Sequence, residues 1–322
     1  MHIKFAKYFI DPKTQEPLEL IIEEKNGEII QKGKFKSGSN EYPIIRGIPR
    51  FINYTENNYA ASFGYEWHKW PRTQFENENI GKPMEGHTRN FWEKVIGEKD
   101  INLQGKLVLD VGCGPGRFID ISREKGADVI GLDYSSAVEV ANKNFNADPN
   151  VCICQADALM LPFKKQSFDL AYSIGVLHHT PNPKLGLEQI FQVVKSKGLV
   201  GICVYEKGGI YDKTFTHLWR KFFNLLKPIF KNSIPKIYTY CIVYFSKAIS
   251  WVPPLRKTVK FFFPNCYLPD INWSLLDTFD MISPSYQSGH TSYEVFNWFK
   301  EIGFTQIEPS DWGNTSCRGF TK

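Results

Sequence analysis

The stretch LVLDVGCGPGRF at residues 107–118 decides the fold of this 322-residue chain. A short apolar run, a glycine-rich turn and an apolar periodic segment follow one another, which predicts a buried strand, a tight loop and the start of a helix. Gly112, Gly114 and Gly116 carry no Cβ, so the loop backbone can approach a ligand closely. The next helix directs its first free N–H groups at the same place. Asp110 ends the strand beside this crevice.

Strands and helices alternate along the chain on both sides of this loop. Strands are predicted at 107–111, 128–132, 151–155, 168–174 and 199–205, with helices at 118–125, 136–146 and 183–194 between them. A helix at 292–302 and strands near 304–308 and 314–321 follow. This alternation predicts an α/β fold with a doubly wound, mostly parallel sheet of seven strands. Right-handed crossovers bring the carboxyl ends of the parallel strands to one crevice.

The glycine spacing is G-x-G-x-G, whereas loops that approach a pyrophosphate use G-x-G-x-x-G, and no P-loop Lys-Ser/Thr pair follows. The loop resembles motif I of class I S-adenosylmethionine-dependent methyltransferases, of the methyltransferase type 11-like group. Three further stretches resemble that family in the expected order. They are GLDYS at 131–135, QADALMLPF at 155–163 and SFDLAYSIGVLHHT at 167–180.

The resemblance implies S-adenosylmethionine as the cofactor and no metal. It implies that the loop surrounds the amino-acid end of the cofactor. It also implies that Asp133 accepts hydrogen bonds from both ribose hydroxyls and that Asp157 contacts the adenine amino group. A carboxylate has two oxygens, so it can bind a vicinal diol. Plain turn or capping roles for these acids stay open. The implied cofactor residues are Asp110, Gly112, Gly114, Gly116, Asp133, Tyr134, Asp157, Ala158 and Ile174.

Methyl transfer from a sulfonium needs an aligned acceptor and exclusion of water. An alcohol acceptor often needs a base, and histidine titrates in the right range. His178 follows the fourth predicted core strand, and it and its neighbour His179 cannot both point inward, so a structural role stays open. We hypothesise that His290 and Tyr286, in a polar loop before the last helix, reach the substrate.

Residues 1–52 predict a small β-rich module with a hairpin at Asn26-Gly27, a strong turn signal. The end of this module resembles Trm112-like zinc-ribbon modules, which carry a C-P-x-C pair. The corresponding stretch here is DPKT at 11–14, so the module is a degenerate one without zinc ligands. A docking or scaffolding role is expected.

The other segments predict a helical lid or linker at 53–104, the cofactor-binding core at 105–206, a helical cap at 207–285 and the end of the core at 286–322. Part of the stretch 59–72 is expected either to cover the cofactor or to pack its aromatic residues on the core. The cap carries eleven Lys or Arg residues against one acid, Asp212, over 207–264. It is read either as a packed lid with a basic rim or as a surface for an anionic substrate, RNA or an anionic membrane.

The composition is that of a globular protein, without a run of 18 apolar residues or a signal peptide. Seven scattered cysteines favour reduced thiols and a cytoplasmic location. Segment 207–264 adds the prediction of a peripheral contact with the inner face of the membrane. The predicted function is S-adenosylmethionine-dependent O-methylation of a small-molecule, sugar or lipid-linked glycan acceptor. The alternatives are an RNA methyltransferase and a silent cofactor-binding partner. No DNA contact is predicted, and the oligomeric state stays open.

Overall fold

The computed structural model describes residues 1–52, 60–146, 148–310 and 315–322. Its N-terminal part is a four-stranded antiparallel sheet in the order β1-β2-β3-β4. The bounds are β1 Glu19–Asn26, β2 Ile29–Ser37, β3 Asn40–Ile45 and β4 Ile48–Pro49. Asn26 pairs with Ile29, so the hairpin turn lies at residues 27 and 28, and Gly27 takes the left-handed φ of 57° that such a turn requires.

The central sheet has seven strands in the order β7-β6-β5-β8-β9-β11-β10. The first five in that order run parallel, and β11 and β10 add an antiparallel edge. This arrangement confirms the predicted fold class, an α/β fold with a doubly wound, mostly parallel sheet of seven strands. The bounds are β5 Leu107–Val111, β6 Asp128–Asp133, β7 Val151–Gln155, β8 Phe168–Ile174, β9 Val194–Val204, β10 Thr305–Pro309 and β11 Thr315–Phe320.

The strand order reverses at β5, whose neighbours are β6 on one side and β8 on the other. All five residues of β5 are buried, which explains the uninterrupted apolar run apart from Asp110. Ligands of open α/β sheets bind where the order reverses, outside the carboxyl ends of the strands. The glycine loop after β5 lies at this point.

Helices cover both faces of the central sheet and form the cap. Before β5 the chain forms α1 Ala61–Lys69 and α2 His87–Ile96, and within the sheet region it forms α3 Arg117–Glu124, α4 Ala137–Asn144, α5 Pro183–Val193 and α10 Ser292–Ile302. The cap between β9 and α10 contains α6 Thr214–Phe230, α7 Ser233–Ala248, α8 Pro253–Phe262 and α9 Ile271–Ile282. None of the described helices is long and apolar enough to cross a bilayer.

Helix α9 is the buried helix of the cap, and α1 packs directly on it. The rings of Tyr65 and Trp70 lie 5.4 and 5.8 Å from that of Phe279, which is fully buried. Apolar side chains of α7 join the same cluster. This packing places α1 and α9 together above the carboxyl ends of the strands. The division of the chain into five segments stays a prediction.

The N-terminal module packs on the core through an aromatic cluster. Phe9 is buried, and its ring lies 5.3 Å from those of Phe35, Phe51 and Phe163, of which Phe163 belongs to the core. The backbone N–H of Phe51 also donates to the carbonyl of Gln155 at the end of β7, over 2.8 Å. The module is therefore fastened to the same edge of the sheet at two places.

Asp11 lies in the loop 11–14, where zinc-ribbon modules carry their cysteine pair and this chain has none. Its carboxylate holds that loop together by hydrogen bonds. Asp11 is fully buried and accepts hydrogen bonds from the Lys13 N–H at 2.8 Å, the Tyr42 hydroxyl at 2.7 Å and the Asn40 amide at 2.8 Å. Burial opposes ionisation, but the hydrogen bonds hold the pKa of Asp11 below its usual value. A buried anion with several donors therefore holds this loop in place.

Candidate active site

The glycine loop is held open by hydrogen bonds to the neighbouring strand. The N–H groups of Gly112 and Cys113 both donate to the carbonyl of Leu132 in β6, over 2.7 and 2.9 Å. Gly112 has a φ of 83°, and a Cβ there would overlap the side chain of Val176. Both the conformation and the space therefore require glycine.

Asp133, at the end of β6, ties the same loop to the strand beside it. Its Oδ2 accepts from the Gly114 N–H at 2.9 Å, and its Oδ1 accepts from the Ser135 N–H at 2.8 Å and the Ser135 hydroxyl at 2.7 Å. Burial raises the pKa of Asp133, and these donors moderate the rise. A carboxylate offers about four acceptor positions, and the Tyr134 N–H is a further donor to Asp133. The hydrogen bonds from both ribose hydroxyls to Asp133 stay a prediction.

A cavity of about 320 Å³ lies between the glycine loop, α1 and α9. Six of the nine predicted cofactor residues line it: Gly112, Gly114, Asp133, Tyr134, Ala158 and Ile174. The other three are not among the lining residues. Gly116 has a φ of 97° and begins α3, Asp157 caps its own turn through the Leu159 N–H at 2.8 Å, and Asp110 is buried.

Asp110 Oδ2 has no hydrogen-bond partner in the described part of the chain. Burial, and then the nearby Asp133, raise the pKa of Asp110 well above its ordinary value. A buried acceptor without a donor is costly. A ligand that brings a donor or a positive charge to the loop would relieve that cost.

The two histidines after β8 differ in position, and His179 rather than the predicted His178 faces the cavity. His179 lines it, whereas His178 is fully buried behind it, between His179 and the ring of Tyr205, whose centroid is 3.8 Å away. His179 Nδ1 lies 3.0 Å from the Tyr286 carbonyl, which can only accept, so Nδ1 carries the proton and Nε2 is an acceptor. Burial lowers the pKa of His179 to about 3 and holds the pKa of His178 well below its ordinary value, which favours the neutral form of both rings.

His290 and Tyr286 are not brought together at the cavity. The ring nitrogens of His290 lie 2.8 Å from the Ser288 hydroxyl and 3.0 Å from a carboxylate oxygen of Glu294. The side chain of Tyr286 is 40% exposed, and neither residue lines the cavity. Catalytic roles for His178, His290 and Tyr286 stay predictions. Tyr286 contacts the site only through its backbone carbonyl, which accepts the hydrogen bond from His179 Nδ1.

The sequence did not reveal the acidic wall of the cavity, which Glu66 of α1 and Asp277 and Asp280 of α9 form. The Tyr205 hydroxyl donates to Asp280, and the Gln74 amide donates to Asp277 over 3.4 Å. The one available signal is the pair of acids three residues apart in the apolar helix α9, which places both on one face. Glu66 lies 211 residues earlier, so no local pattern joins it to them.

These three carboxyl groups share the low-dielectric end of the cavity. Burial, and then Asp280, raise the pKa of Asp277 to about 7. Burial raises the pKa of Asp280 to about 6, against the opposing hydrogen bond from Tyr205. Burial, and then the two aspartates, raise the pKa of Glu66 well above its usual value. Arg117, at the start of α3, lines the same cavity and stacks 4.5 Å above the ring of Phe118.

Helix α1 covers the glycine loop. A Cβ on Gly114 would lie 3.0 Å from the indole nitrogen of Trp67, and Phe63 and Trp67 both line the cavity. This is the position that a lid over the cofactor would take, and lid motion stays a prediction. Tyr59, the first residue of the predicted lid, lies outside the described residues.

A family model described as a methyltransferase domain matches residues 109–202. Residues 109–202 are a methyltransferase domain. They contain the glycine loop, Asp133 and the histidine pair. The cofactor of the methyltransferase domain is S-adenosylmethionine, and the site fits it: the glycine loop admits a close ligand, and among the described residues the buried Oδ2 of Asp110 has no partner.

The names of proteins similar to this chain give different methyl acceptors. Demethylmenaquinone methyltransferase of Lactococcus lactis is 32% identical over 155 residues, which are 45% of this chain and 61% of that protein. The tRNA U34 carboxymethyltransferase of Pseudoalteromonas atlantica is 31% identical over 133 residues, 40% of this chain and 41% of that protein. Each match spans less than two thirds of the relative. A solved complex between the Haloferax volcanii Trm112 methyltransferase activator and a methyltransferase gives a TM-score of 0.48 at 14% identity, over 81% of this chain and 97% of that one.

Proposed function

We propose that the chain is an S-adenosylmethionine-dependent methyltransferase whose acceptor binds in the cavity between the glycine loop and α9. The observation that carries the proposal is the continuity of this cavity. The same space is lined by the loop residues Gly112 and Gly114 at one end and by Asp277 and Asp280 at the other. A methyl donor and an acceptor can therefore meet within one continuous cavity.

The residues at the loop end would hold the cofactor, which supplies an activated methyl group on a sulfonium. Asp133 and the N–H groups of the loop position the ligand, and Trp67 of α1 covers it. Trp273 and Tyr205 wall the acceptor end and exclude water. Holding two reactants aligned in a dry space is the main contribution that a protein makes to a displacement of this kind.

The acceptor class is proposed to be a small molecule rather than RNA, because side chains of α1 and α9 line the cavity opposite the glycine loop and limit its volume to about 320 Å³. Incubation with S-adenosylmethionine labelled in the methyl group, against sugar, lipid-linked glycan, amine and RNA acceptors, tests this. Label on a small acceptor supports the proposal. Label on RNA alone would favour the RNA methyltransferase, and cofactor binding without any transfer would favour a silent partner. The sugar and lipid-linked glycan acceptors in this panel also test the predicted transfer to oxygen.

We further propose that the outer face of the cap docks on an anionic membrane. Among the described residues, fifteen of the twenty-one exposed large apolar side chains lie in the cap. Four of them form one stripe along α6 at helical spacing: Leu218, Phe222, Leu225 and Ile229. The surrounding segment 207–264 carries eleven basic residues against one acid. Exposed apolar stripes flanked by lysine and arginine are typical of helices that lie in a membrane interface.

Co-sedimentation with vesicles of phosphatidylglycerol and phosphatidylcholine tests the docking surface. Ile229→Glu should reduce binding several-fold, because it places a charge in the stripe. Ile80→Glu is the matched control, since Ile80 is 69% exposed against 75% for Ile229 but lies outside the cap. Equal binding by the two variants, or none by the parent chain at low salt, would contradict membrane docking.

A further inference from the structure

Three carboxyl groups line the acidic end of the cavity, against one lining arginine, Arg117. Glu66, Asp277 and Asp280 make no ion pair within the ranges that the structure describes. Arg117 stacks on Phe118. The other nearby cation, Arg220, donates through Nη2 to two backbone carbonyls, those of Tyr211 and Met281. The excess of carboxyl groups over cations favours a positively charged ligand at this end.

Three polar atoms in the wall of the cavity lack a hydrogen-bond partner in the described structure. They are Glu66 Oε2, Gln74 Oε1 and His179 Nε2, and all three side chains are at least nine-tenths buried. They come from three separate segments of the chain. His179 Nε2 is the acceptor nitrogen of a neutral ring, because Nδ1 donates to the Tyr286 carbonyl. Glu66 belongs to the acidic cluster and Gln74 donates to it through Asp277, whereas His179 is an acceptor that makes no bond to the acids.

Every one of these unpartnered atoms is an acceptor. Leaving a buried acceptor without a donor is costly, so the cavity is complementary to a group with several N–H or O–H donors. An alcohol brings one donor, whereas a protonated primary amine brings three and a positive charge. An anionic acceptor would meet three carboxyl groups and no free cation other than Arg117.

We propose that the acceptor is an amine, bound as its ammonium ion between Glu66, Asp280 and His179, and that the methyl group is transferred to nitrogen. This inference rests on the proposed methyltransferase function and narrows its acceptor class. The ammonium gives one proton to a carboxylate of the cluster. The nitrogen lone pair then forms a bond to the methyl carbon as the carbon–sulfur bond breaks, and that electron pair stays on sulfur, which leaves a neutral thioether.

Charge moves from sulfur to nitrogen in this step, and the acidic wall lies where the new positive charge develops. Preorganised carboxylates next to a developing charge favour the transition state. The ring of Trp273 and the phenol of Tyr205 line the same end, and aromatic faces attract ammonium ions. The carboxyl groups, the unpartnered acceptors and the aromatic walls thus favour the same ligand chemistry.

Calorimetry with matched amine and alcohol probes tests the inference, in the presence of saturating S-adenosylhomocysteine. The pairs are propylamine and propanol, cyclohexylamine and cyclohexanol, and 2-phenylethylamine and 2-phenylethanol. At least one amine should bind more than about tenfold tighter than its alcohol. Glu66→Gln and Asp280→Asn should each reduce that preference about tenfold and leave the affinity for S-adenosylhomocysteine unchanged. Glu98→Gln removes an exposed carboxylate outside the cavity and should change neither.

The outcomes separate the two proposals. If S-adenosylhomocysteine binds and no amine is preferred to its alcohol, the amine inference is overturned and the methyltransferase proposal stands. If Glu66→Gln weakens S-adenosylhomocysteine binding and leaves the amine preference intact, the acids serve the cofactor and the inference is also overturned. If S-adenosylhomocysteine itself does not bind, the proposed function fails. Circular dichroism melts show whether each variant is folded, and both acid variants should melt no lower than the parent chain because they relieve repulsion.

Discussion

Replacing Asp277 with asparagine tests the charge state of the acidic wall. Burial and the neighbouring Asp280 raise the pKa of Asp277 in the folded protein to about 7. In the unfolded chain an aspartate titrates at about 3.9. Because the folded-state pKa is the higher one, the folded protein holds this proton more tightly than the unfolded chain does. Stability from this group is therefore fully present below the unfolded pKa and is lost as the pH rises from about 4 to about 7.

The size of the effect follows from the difference between the two pKa values. Three pKa units at about 1.4 kcal/mol each give about 4 kcal/mol for complete ionisation of Asp277. This is an upper bound, because water in the cavity screens the charge. Between pH 5 and pH 8, ionisation of Asp277 lowers the free energy of unfolding by about 2 to 3 kcal/mol by the same linkage. Asp277→Asn keeps the shape of the side chain and cannot ionise.

Urea unfolding at pH 5, 6, 7 and 8, followed by tryptophan fluorescence, measures the effect. The free energy of unfolding of Asp277→Asn, relative to the parent chain, should rise by about 2 to 3 kcal/mol from pH 5 to pH 8. Glu98→Gln, an exposed carboxyl-to-amide change, should differ from the parent chain by a constant amount. A constant difference for Asp277→Asn as well would refute the reasoning, since it would mean that Asp277 is ionised in the fold throughout this range.

Three further substitutions test the loop and the N-terminal module. Gly112→Ala should abolish binding of S-adenosylhomocysteine by calorimetry, because a Cβ at a φ of 83° overlaps Val176; unchanged affinity would show that the loop does not hold the cofactor. Asp11→Asn should lower the free energy of unfolding by about 2 to 3 kcal/mol at pH 7. This difference should shrink below about pH 4, since the folded pKa of Asp11 is depressed and its stabilisation is lost as the pH falls; a loss that persists at pH 3 would refute it. Phe9→Ala should cost about 3 to 5 kcal/mol in denaturant titrations, and a cost below 1 kcal/mol would mean that the module is not fastened through its aromatic cluster.

The cofactor end of the site could be predicted from the sequence because its determinants are local. The glycine spacing after β5 and the acid that ends β6 each lie within a few residues of a strand end, and parallel topology brings strand ends together. Asp133 and Gly114 are joined by a hydrogen bond across 19 residues of chain, and the α/β pattern alone placed them side by side. Six of the predicted residues line the cavity for this reason.

The acceptor end could not be predicted because its determinants are tertiary. Glu66 belongs to a helix before the first core strand, and Asp277 and Asp280 belong to the cap, so only the packing of α1 on α9 unites them. The choice of His179 over His178 as the cavity residue depends on the turn after β8. Two adjacent histidines predict that one ring faces the ligand, but the sequence does not indicate which of the two rings it is.

Titration of S-adenosylhomocysteine into the purified chain tests the central claim most directly. The glycine-loop cavity should bind one molecule per chain, with measurable heat and a rise in melting temperature. Binding should disappear in Gly112→Ala, whose substitution fills the loop. Absence of heat and of a thermal shift in the parent chain, or undiminished binding in a folded Gly112→Ala variant, would contradict the claim that this cavity holds the methyl donor.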